Sequence, residues 1–210
     1  IVNEHFTPSY NPWDQRICLI PNSDFFESIK AKTSSVVTDH IEKIEEKGIR
    51  LKSGKFLPAD LIVTATGLIL ESFGGVKMSV DDKPIEASDT YTYRSLMYSG
   101  VPNLVSCFGY INASWTLKAD LTSEYVCRLI KHMKKNDFEV VCPKFEVDIE
   151  ESDDFLNGFS SGYIKRAADA QPKQGKEKPW INLQDYFKDW IDIKYKKLDD
   201  GYLNFSKLEK

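Results

Sequence analysis

No G-x-G-x-x-G occurs in this chain, so none of its 11 glycines forms the phosphate-cradling turn that opens a dinucleotide-binding βαβ unit. None of the four cysteines, Cys18, Cys107, Cys127 and Cys142, forms a C-x-x-C pair, and His5, His40 and His132 stand alone. These spacings argue against a zinc site and supply no dithiol redox centre. The cysteines lie mostly in apolar sequence, and the expectation is of buried free thiols in a reducing cytosol. No apolar run reaches the ~20 residues needed to span a bilayer, and the first residues do not pattern as a signal peptide. A cytoplasmic protein is expected. Positive charge is not in excess: 28 Lys and Arg against 32 Asp and Glu leave a net charge of -4. That balance offers no general electrostatic case for nucleic acid. The chain opens on Ile1 without a methionine, and the expectation is a piece of a longer protein.

Apolar residues make up 41% of the 210 positions and aromatics 12%, enough for one large domain or parts of two. The most informative stretch is Ala59-Asp60-Leu61-Ile62-Val63-Thr64-Ala65-Thr66-Gly67. An acidic residue opens an apolar strand, Leu61–Thr66, that needs no polar face and so belongs in a parallel or central sheet. Its glycine lets the backbone pass close to something bulky. Upstream, Asn22-Ser23-Asp24 offers caps for a short helix over Phe25–Lys30, and Ser35–Asp39 reads as a short β-branched strand. His40–Glu46 alternates Ile41 and Ile44 with charges, Gly48 turns the chain into Ile49-Arg50-Leu51, and Ser53-Gly54 turns it again before Phe56. The pattern is an antiparallel meander feeding a central strand.

Beyond Gly67, Val76–Val80 and Lys83–Glu86 flank Asp81-Asp82 as a hairpin, and Tyr91–Met97 fits a helix or an extended segment equally. An apolar strand over Leu104–Phe108 ends at Gly109. A polar and aromatic loop, Tyr110–Thr116, then leads to the clearest helix, Leu117–Lys135. In it Leu117, Leu121, Tyr125, Leu129 and Ile130 recur near the helical period, with Lys131, Lys134 and Lys135 at its C-terminal end. Asp137–Pro143 reads as a strand and the acidic run Glu146–Asp154 as solvated surface. The last 40 residues interleave lysine with aromatics such as Trp180, Trp190 and Phe205, as in a tail packed on a body with its lysines in solvent. No internal repeat is present.

The unit Leu104–Leu121 carries the chemistry visible in the pattern itself. The unpaired amides at the start of its helix form a positive pole suited to an anion, although an ordinary βα unit looks the same. Taken alone, Asp60 suits a strand cap or turn, Trp115 a core position, and Lys165, Arg166 and Lys173 solvated loop charges.

Several motifs together make a resemblance. They are His5-Phe6-x-Pro8-x-Tyr10-Asn11-Pro12-Trp13-Asp14-Gln15-Arg16, Val36-Val37-Thr38-Asp39, Gly48-Ile49-Arg50-Leu51, Ala65-Thr66-Gly67-Leu68 and Phe73-Gly74-Gly75. Downstream follow Asn112-Ala113-Ser114-Trp115-Thr116-Leu117-Lys118-Ala119-Asp120-Leu121, Gly162-Tyr163, Pro172-Lys173-Gln174-Gly175 and Pro179-Trp180. In this order they resemble the C-terminal ~40% of a Baeyer–Villiger-type (class B) flavin-containing monooxygenase of the EthA-like ketone monooxygenase branch. The resemblance implies an α/β fold, α+β in isolation: an antiparallel meander and central strands with flanking helices, part of a two-dinucleotide-domain flavoprotein. Residues 1–34 would end the NADP-binding-domain region, 35–145 would be the C-terminal part of the FAD-binding domain, and 146–210 a loop and tail packing on the body.

The same resemblance implies the cofactors FAD and NADPH, and O2 and a small-molecule substrate as reactants. Ketones, or sulfur and nitrogen centres, would be oxidised through a C4a-peroxyflavin. Arg16 matches the catalytic arginine over the flavin, where a guanidinium that stays charged stabilises peroxide charge. Gln15 stands where ketone-oxidising relatives often carry a lysine that helps read the NADP phosphate. Asp60, Thr66 and Gly67 match the linker that lines the cofactor cleft. Asn112, Thr116 and Leu117 match the loop and helix start beside the flavin pyrimidine, where the positive pole would face the reduced ring. Trp115 would wall the substrate pocket, and Tyr163 falls in the mobile loop that closes over NADP. The missing N-terminal half would be the chain's partner, and without it the fragment is expected to be inactive and not to bind FAD tightly. A non-catalytic interaction module remains an alternative. So does another two-domain flavin oxidoreductase; for one of the disulfide type, the missing C-x-x-C counts against it.

Overall fold

Gly48 shows how closely the first sheet is drawn together. A Cβ at this position would lie 2.0 Å from the Leu57 carbonyl oxygen, so only glycine admits the neighbouring strand. The computed structural model describes residues 2–11, 14–15, 18–144, 150–152 and 161–208. They fall into two units, 1–68 and 69–210.

The first unit holds the helices α1 (Val2–His5) and α2 (Asp24–Lys30) and the strands β1 (Ile41–Glu45), β2 (Gly48–Leu51) and β3 (Phe56–Pro58). The strands form one antiparallel sheet in sequence order, with Ile44 opposite Ile49 and Ile49 opposite Leu57. This is the meander that the alternation of Ile41 and Ile44 implies. Arg50 fastens it by pairing with Glu45 at 3.1 Å and lying 4.9 Å over the Phe56 ring. Phe6 packs edge-on to Phe25 and tilted against Phe26 on α2.

Three expectations fail in this unit. Ser23 precedes α2 in a left-handed conformation and makes no side-chain cap. Ser35–Asp39 forms no strand. There the Asp39 carboxylate takes the backbone amides of His40 and Ser53 at 2.7 and 3.3 Å, a local alternative to a ladder. Leu61–Thr66 is likewise not a strand and not buried: Leu61 is 81% exposed and Val63 80%. An apolar run becomes a central strand only when ladders are offered on both sides, and in this unit β3 pairs with β2 alone.

The second unit opens with β4 (Met78–Val80) and β5 (Lys83–Ile85), a hairpin with Asp81 and Asp82 at its turn. Both turn residues have positive φ, 50° and 61°, the mirror-image turn that matches strand twist. Tyr91–Met97 resolves as extended: β6 (Thr92–Tyr93) pairs with β7 (Met97–Tyr98) across Arg94 and Ser95. The long helix α3 (Trp115–Asn136) begins two residues before its apolar periodicity does. Then come β8 (Val140–Pro143), β9 (Glu151–Ser152), α4 (Gly162–Ala167), β10 (Gln174–Gly175), α5 (Tyr186–Tyr195) and β11 (Leu203–Ser206). β8 pairs with β11 and β9 with β10.

The core of this unit joins distant segments: Tyr93, Leu96 and Met97 from the β6–β7 hairpin, Leu121, Tyr125 and Leu129 from α3, and Trp180, Ile193 and Leu203 from the last 40 residues. The aromatic tail therefore does pack on the body. Phe187 and Tyr195 nevertheless face outward. Leu104–Phe108 is not a strand; the segment is held by single bonds, such as Ser106 N–H to the Leu96 carbonyl at 2.8 Å. The thiols are free, but Cys18, Cys107 and Cys127 are exposed and Cys142 is half-buried, against the expectation of burial. Cys127 lies on the outer face of α3, where apolar neighbours in sequence do not enclose it. Most of the acidic run Glu146–Asp154 lies outside the described residues. The chain is thus a mixed helix and strand fold with small antiparallel sheets, and no described helix is long and apolar enough to cross a membrane.

Candidate functional site

An extended Ser114 launches α3 directly from a loop. The first amides of a helix have no intrahelical acceptor. Here Ser114 makes no side-chain cap, and no acidic residue lies in the first turn. The Ser114 and Thr116 hydroxyls bond to each other at 2.7 Å. Lys134 and Lys135 sit at the far end, complementing the negative pole there. The N-terminal pole is therefore left facing outward, among the exposed residues Asn112, Ser114, Thr116 and Leu117.

Trp115 completes this corner. Its indole lies against Gly109 so closely that a Cβ on Gly109 would come within 2.2 Å of it, and its ring centroid is 5.5 Å from that of Phe108. Trp115 is nonetheless 52% exposed, so it is not a core tryptophan. Phe108 in turn lines a pocket with Thr92, Ser95, Tyr98, Pro172 and Gln174. The motif Pro172–Gly175 thus supplies a wall beside the Trp115 corner. Gln174 is buried there and accepts the Asn182 amide at 2.8 Å.

Behind the loop is a buried polar cluster. Lys118, in the first turns of α3, is almost fully enclosed and pairs with Asp189 at 2.8 Å. The Tyr110 hydroxyl donates to the same Asp189 oxygen at 2.9 Å. Burial, then the Asp189 charge and hydrogen bond, push the Tyr110 pKa far above the usual tyrosine value, so the hydroxyl stays protonated and remains a donor. Lys178 adds a looser partner to Asp189 at 3.7 Å. A second buried ion cluster joins Arg94 to Asp192 at 2.5 Å and to Asp200 at 2.9 Å. Tyr93 also donates to Asp200, at 2.6 Å. Charges so enclosed are tolerated only when paired.

The sequence-derived residues are distributed as follows. Arg16, with Pro12 and Trp13, lies outside the described residues. Asp60, Thr66 and Gly67 belong to the first unit and are exposed; Gly67 has φ 99°, a conformation that favours glycine. Asn112, Trp115, Thr116 and Leu117 are brought together at the start of α3, while Tyr163 is half-buried on α4, a separate element. Among the described residues no group of His, Cys, Asp and Glu could hold a metal ion. Sequence reasoning missed Asp189, Asp192, Arg94 and Gln184. One signal was present: Asp189 lies on the helical face of Tyr186 and Ile193, where a carboxylate needs a buried partner.

Comparison with known proteins places the chain beside flavoproteins. It is 49% identical over 97% of its length to a protein of Acinetobacter sp named "Probable FAD-binding monooxygenase AlmA". It is 48% identical over 98% of its length to the FAD-containing monooxygenase EthA of Mycolicibacterium smegmatis, and equally so to that of Mycobacterium tuberculosis. The chain spans about two fifths of these relatives, 41 to 42% of their length. No protein-family model and no solved structure matches it.

Proposed function

We propose that the chain belongs to the family of FAD-containing monooxygenases that includes EthA and AlmA, which it matches over 97 to 98% of its own length, and that it forms part of the oxygenating site of an FAD- and NADPH-dependent monooxygenase. The observation that carries this reading is the uncapped, outward-facing start of α3 with Trp115 exposed beside it. An unneutralised helix pole suits an electron-rich ring that gains negative charge on reduction, and an exposed indole suits the edge of a substrate pocket. FAD, when bound, would supply electrons taken from NADPH to activate O2, so that one oxygen atom enters a ketone, sulfide or amine.

In this reading Asn112, Thr116 and Leu117 hold the pyrimidine side of the flavin, and Trp115 walls the substrate. Arg16 supplies a permanent positive charge at the reacting face. Asp60, Thr66 and Gly67 line the cleft where the chain passes between cofactor domains, and Tyr163 belongs to the segment that covers the nicotinamide. Residues 1–34, 35–145 and 146–210 would be, in turn, the end of the NADP-binding region, the C-terminal part of the FAD-binding domain and a packing tail. Leu61–Thr66 would gain its missing ladders from the rest of the full-length protein. The 210 residues contain no glycine-rich phosphate loop, so alone they would bind FAD weakly and turn over no substrate.

The experiment is expression of the full-length protein, with its absorbance spectrum and substrate-dependent NADPH consumption under O2. A bound flavin and stoichiometric oxygenation of a ketone or sulfide are expected. In that enzyme Arg16→Ala should retain FAD and lose oxygenation by roughly two orders of magnitude or more. A colourless protein, or tight FAD binding by residues 1–210 alone, would sink this reading.

A further inference from the structure

The loop from Tyr110 to Lys118 is gripped at both ends by one short downstream segment. At its entry, the buried Tyr110 hydroxyl donates to Asp189 at 2.9 Å. At its exit, the Lys118 ammonium donates to the same carboxylate oxygen at 2.8 Å. Between them, the Ile111 amide donates to Gln184 Oε1 at 2.8 Å, and the Tyr186 ring meets Tyr110 edge-on at 6.2 Å. Asp189 lies 79 residues beyond Tyr110 in the chain. The intervening Asn112, Ser114, Thr116 and Leu117 are exposed; within that stretch the Ser114 and Thr116 hydroxyls bond to each other and the Leu117 amide donates to the Ser114 carbonyl at 3.2 Å. A loop held at both ends by one segment takes its position from those ends.

We propose that Asp189 and Gln184 are positioning residues that fix the Asn112–Leu117 loop for its task. This rests on the assignment of that loop to the flavin and substrate in the proposed function. Neither residue touches the reacting atoms. Asp189 sets the angle at which the uncapped start of α3 is presented, because it holds the residues on both sides of that start. Gln184 fixes the backbone one residue after Tyr110. The segment 184–189 thereby makes the C-terminal tail part of the catalytic architecture, since reacting groups misplaced by about 1 Å can lose on the order of a hundredfold in rate.

Two mild variants test this. Tyr110→Phe removes only the hydroxyl, and Gln184→Ala only the acceptor for the Ile111 amide; neither strands a buried charge. In the 210-residue chain, hydrogen exchange at Ile111–Leu117 should rise by on the order of fivefold for each lost bond, with Leu121–Leu129 of α3 unchanged as the control for folding. In the FAD-loaded full-length enzyme the same variants should lower kcat by roughly tenfold. KM and Tm should stay close to wild type, and the visible flavin band should shift. Unchanged exchange in the loop overturns the grip and leaves the flavin assignment standing. Faster exchange with a wild-type kcat and flavin spectrum overturns the positioning role. A full-length protein that takes up no flavin overturns the assignment, and the positioning role with it, a result distinct from the other two.

Discussion

Asp189 accepts two hydrogen bonds on one buried oxygen, from Lys118 and from Tyr110, and each removal has a different consequence. Asp189→Leu would leave the Lys118 ammonium enclosed without its carboxylate, which costs about 3–5 kcal/mol in comparable buried pairs. The double variant Asp189→Leu/Lys118→Met removes both charges and should recover most of that loss, because matched apolar side chains carry no desolvation penalty. Urea unfolding of the two variants checks this; a double variant no more stable than Asp189→Leu would show that the pair is not the source. At Gly109 the limit is steric instead. Gly109→Ala places a methyl 2.2 Å from the Trp115 ring, and the half-exposed indole should yield by swinging outward. Its fluorescence should then shift to the red in Gly109→Ala and not in Gly109→Ala/Trp115→Phe. An unchanged emission spectrum would mean that the backbone moved in its place.

At the scale of elements, what could be read in the chain follows the range of the interactions. α3 makes its own hydrogen bonds, so its apolar period over Leu117–Leu129 was enough to locate it. β1, β2 and β3 pair with their neighbours in sequence, as do β4 and β5, and turns at Gly48 and Asp81-Asp82 announced them. Leu61–Thr66 and Leu104–Phe108 have strand composition without local partners, and composition cannot supply a ladder. The grip on the Tyr110–Lys118 loop was hidden for the same reason, since its groups lie more than 70 residues apart. α5 offers an element-level test. Asp185 caps it by accepting the Lys188 amide at 3.1 Å, and that hydrogen bond holds its carboxyl below the ordinary aspartate value. A folded-state value below the unfolded one stabilises the fold above the unfolded value, and this contribution fades as the pH falls through the folded value. Asp185→Ala should therefore melt below wild type at neutral pH, and the gap should narrow in acid. Thermal unfolding followed by circular dichroism at the two pH values decides it; a gap independent of pH would rule out a role for the carboxylate charge.

For the whole molecule, the exposed apolar row at Leu61 and Val63 has to be set against the monooxygenases to which the chain is similar. A folded protein seldom leaves such residues open without a covering surface, and in the proposed full-length enzyme the cover is the remainder of a central sheet. The two contexts then make opposite predictions for one change. In the 210-residue chain Leu61→Ser/Val63→Ser removes side chains that touch little, so the urea midpoint should stay within error of the parent chain. In the full-length enzyme the same side chains would be buried. Each would contribute about 1.5–3 kcal/mol by removal of apolar surface from water, so the double variant should lose several times the thermal energy in stability and release FAD more readily. Equal destabilisation in both contexts would mean that the strand already forms within the 210 residues. No effect in either would leave the row as plain surface and remove the reason to see a sheet completed there. The difference between the two measurements, more than either alone, tests whether Asp60–Gly67 is the inner strand of a cofactor domain.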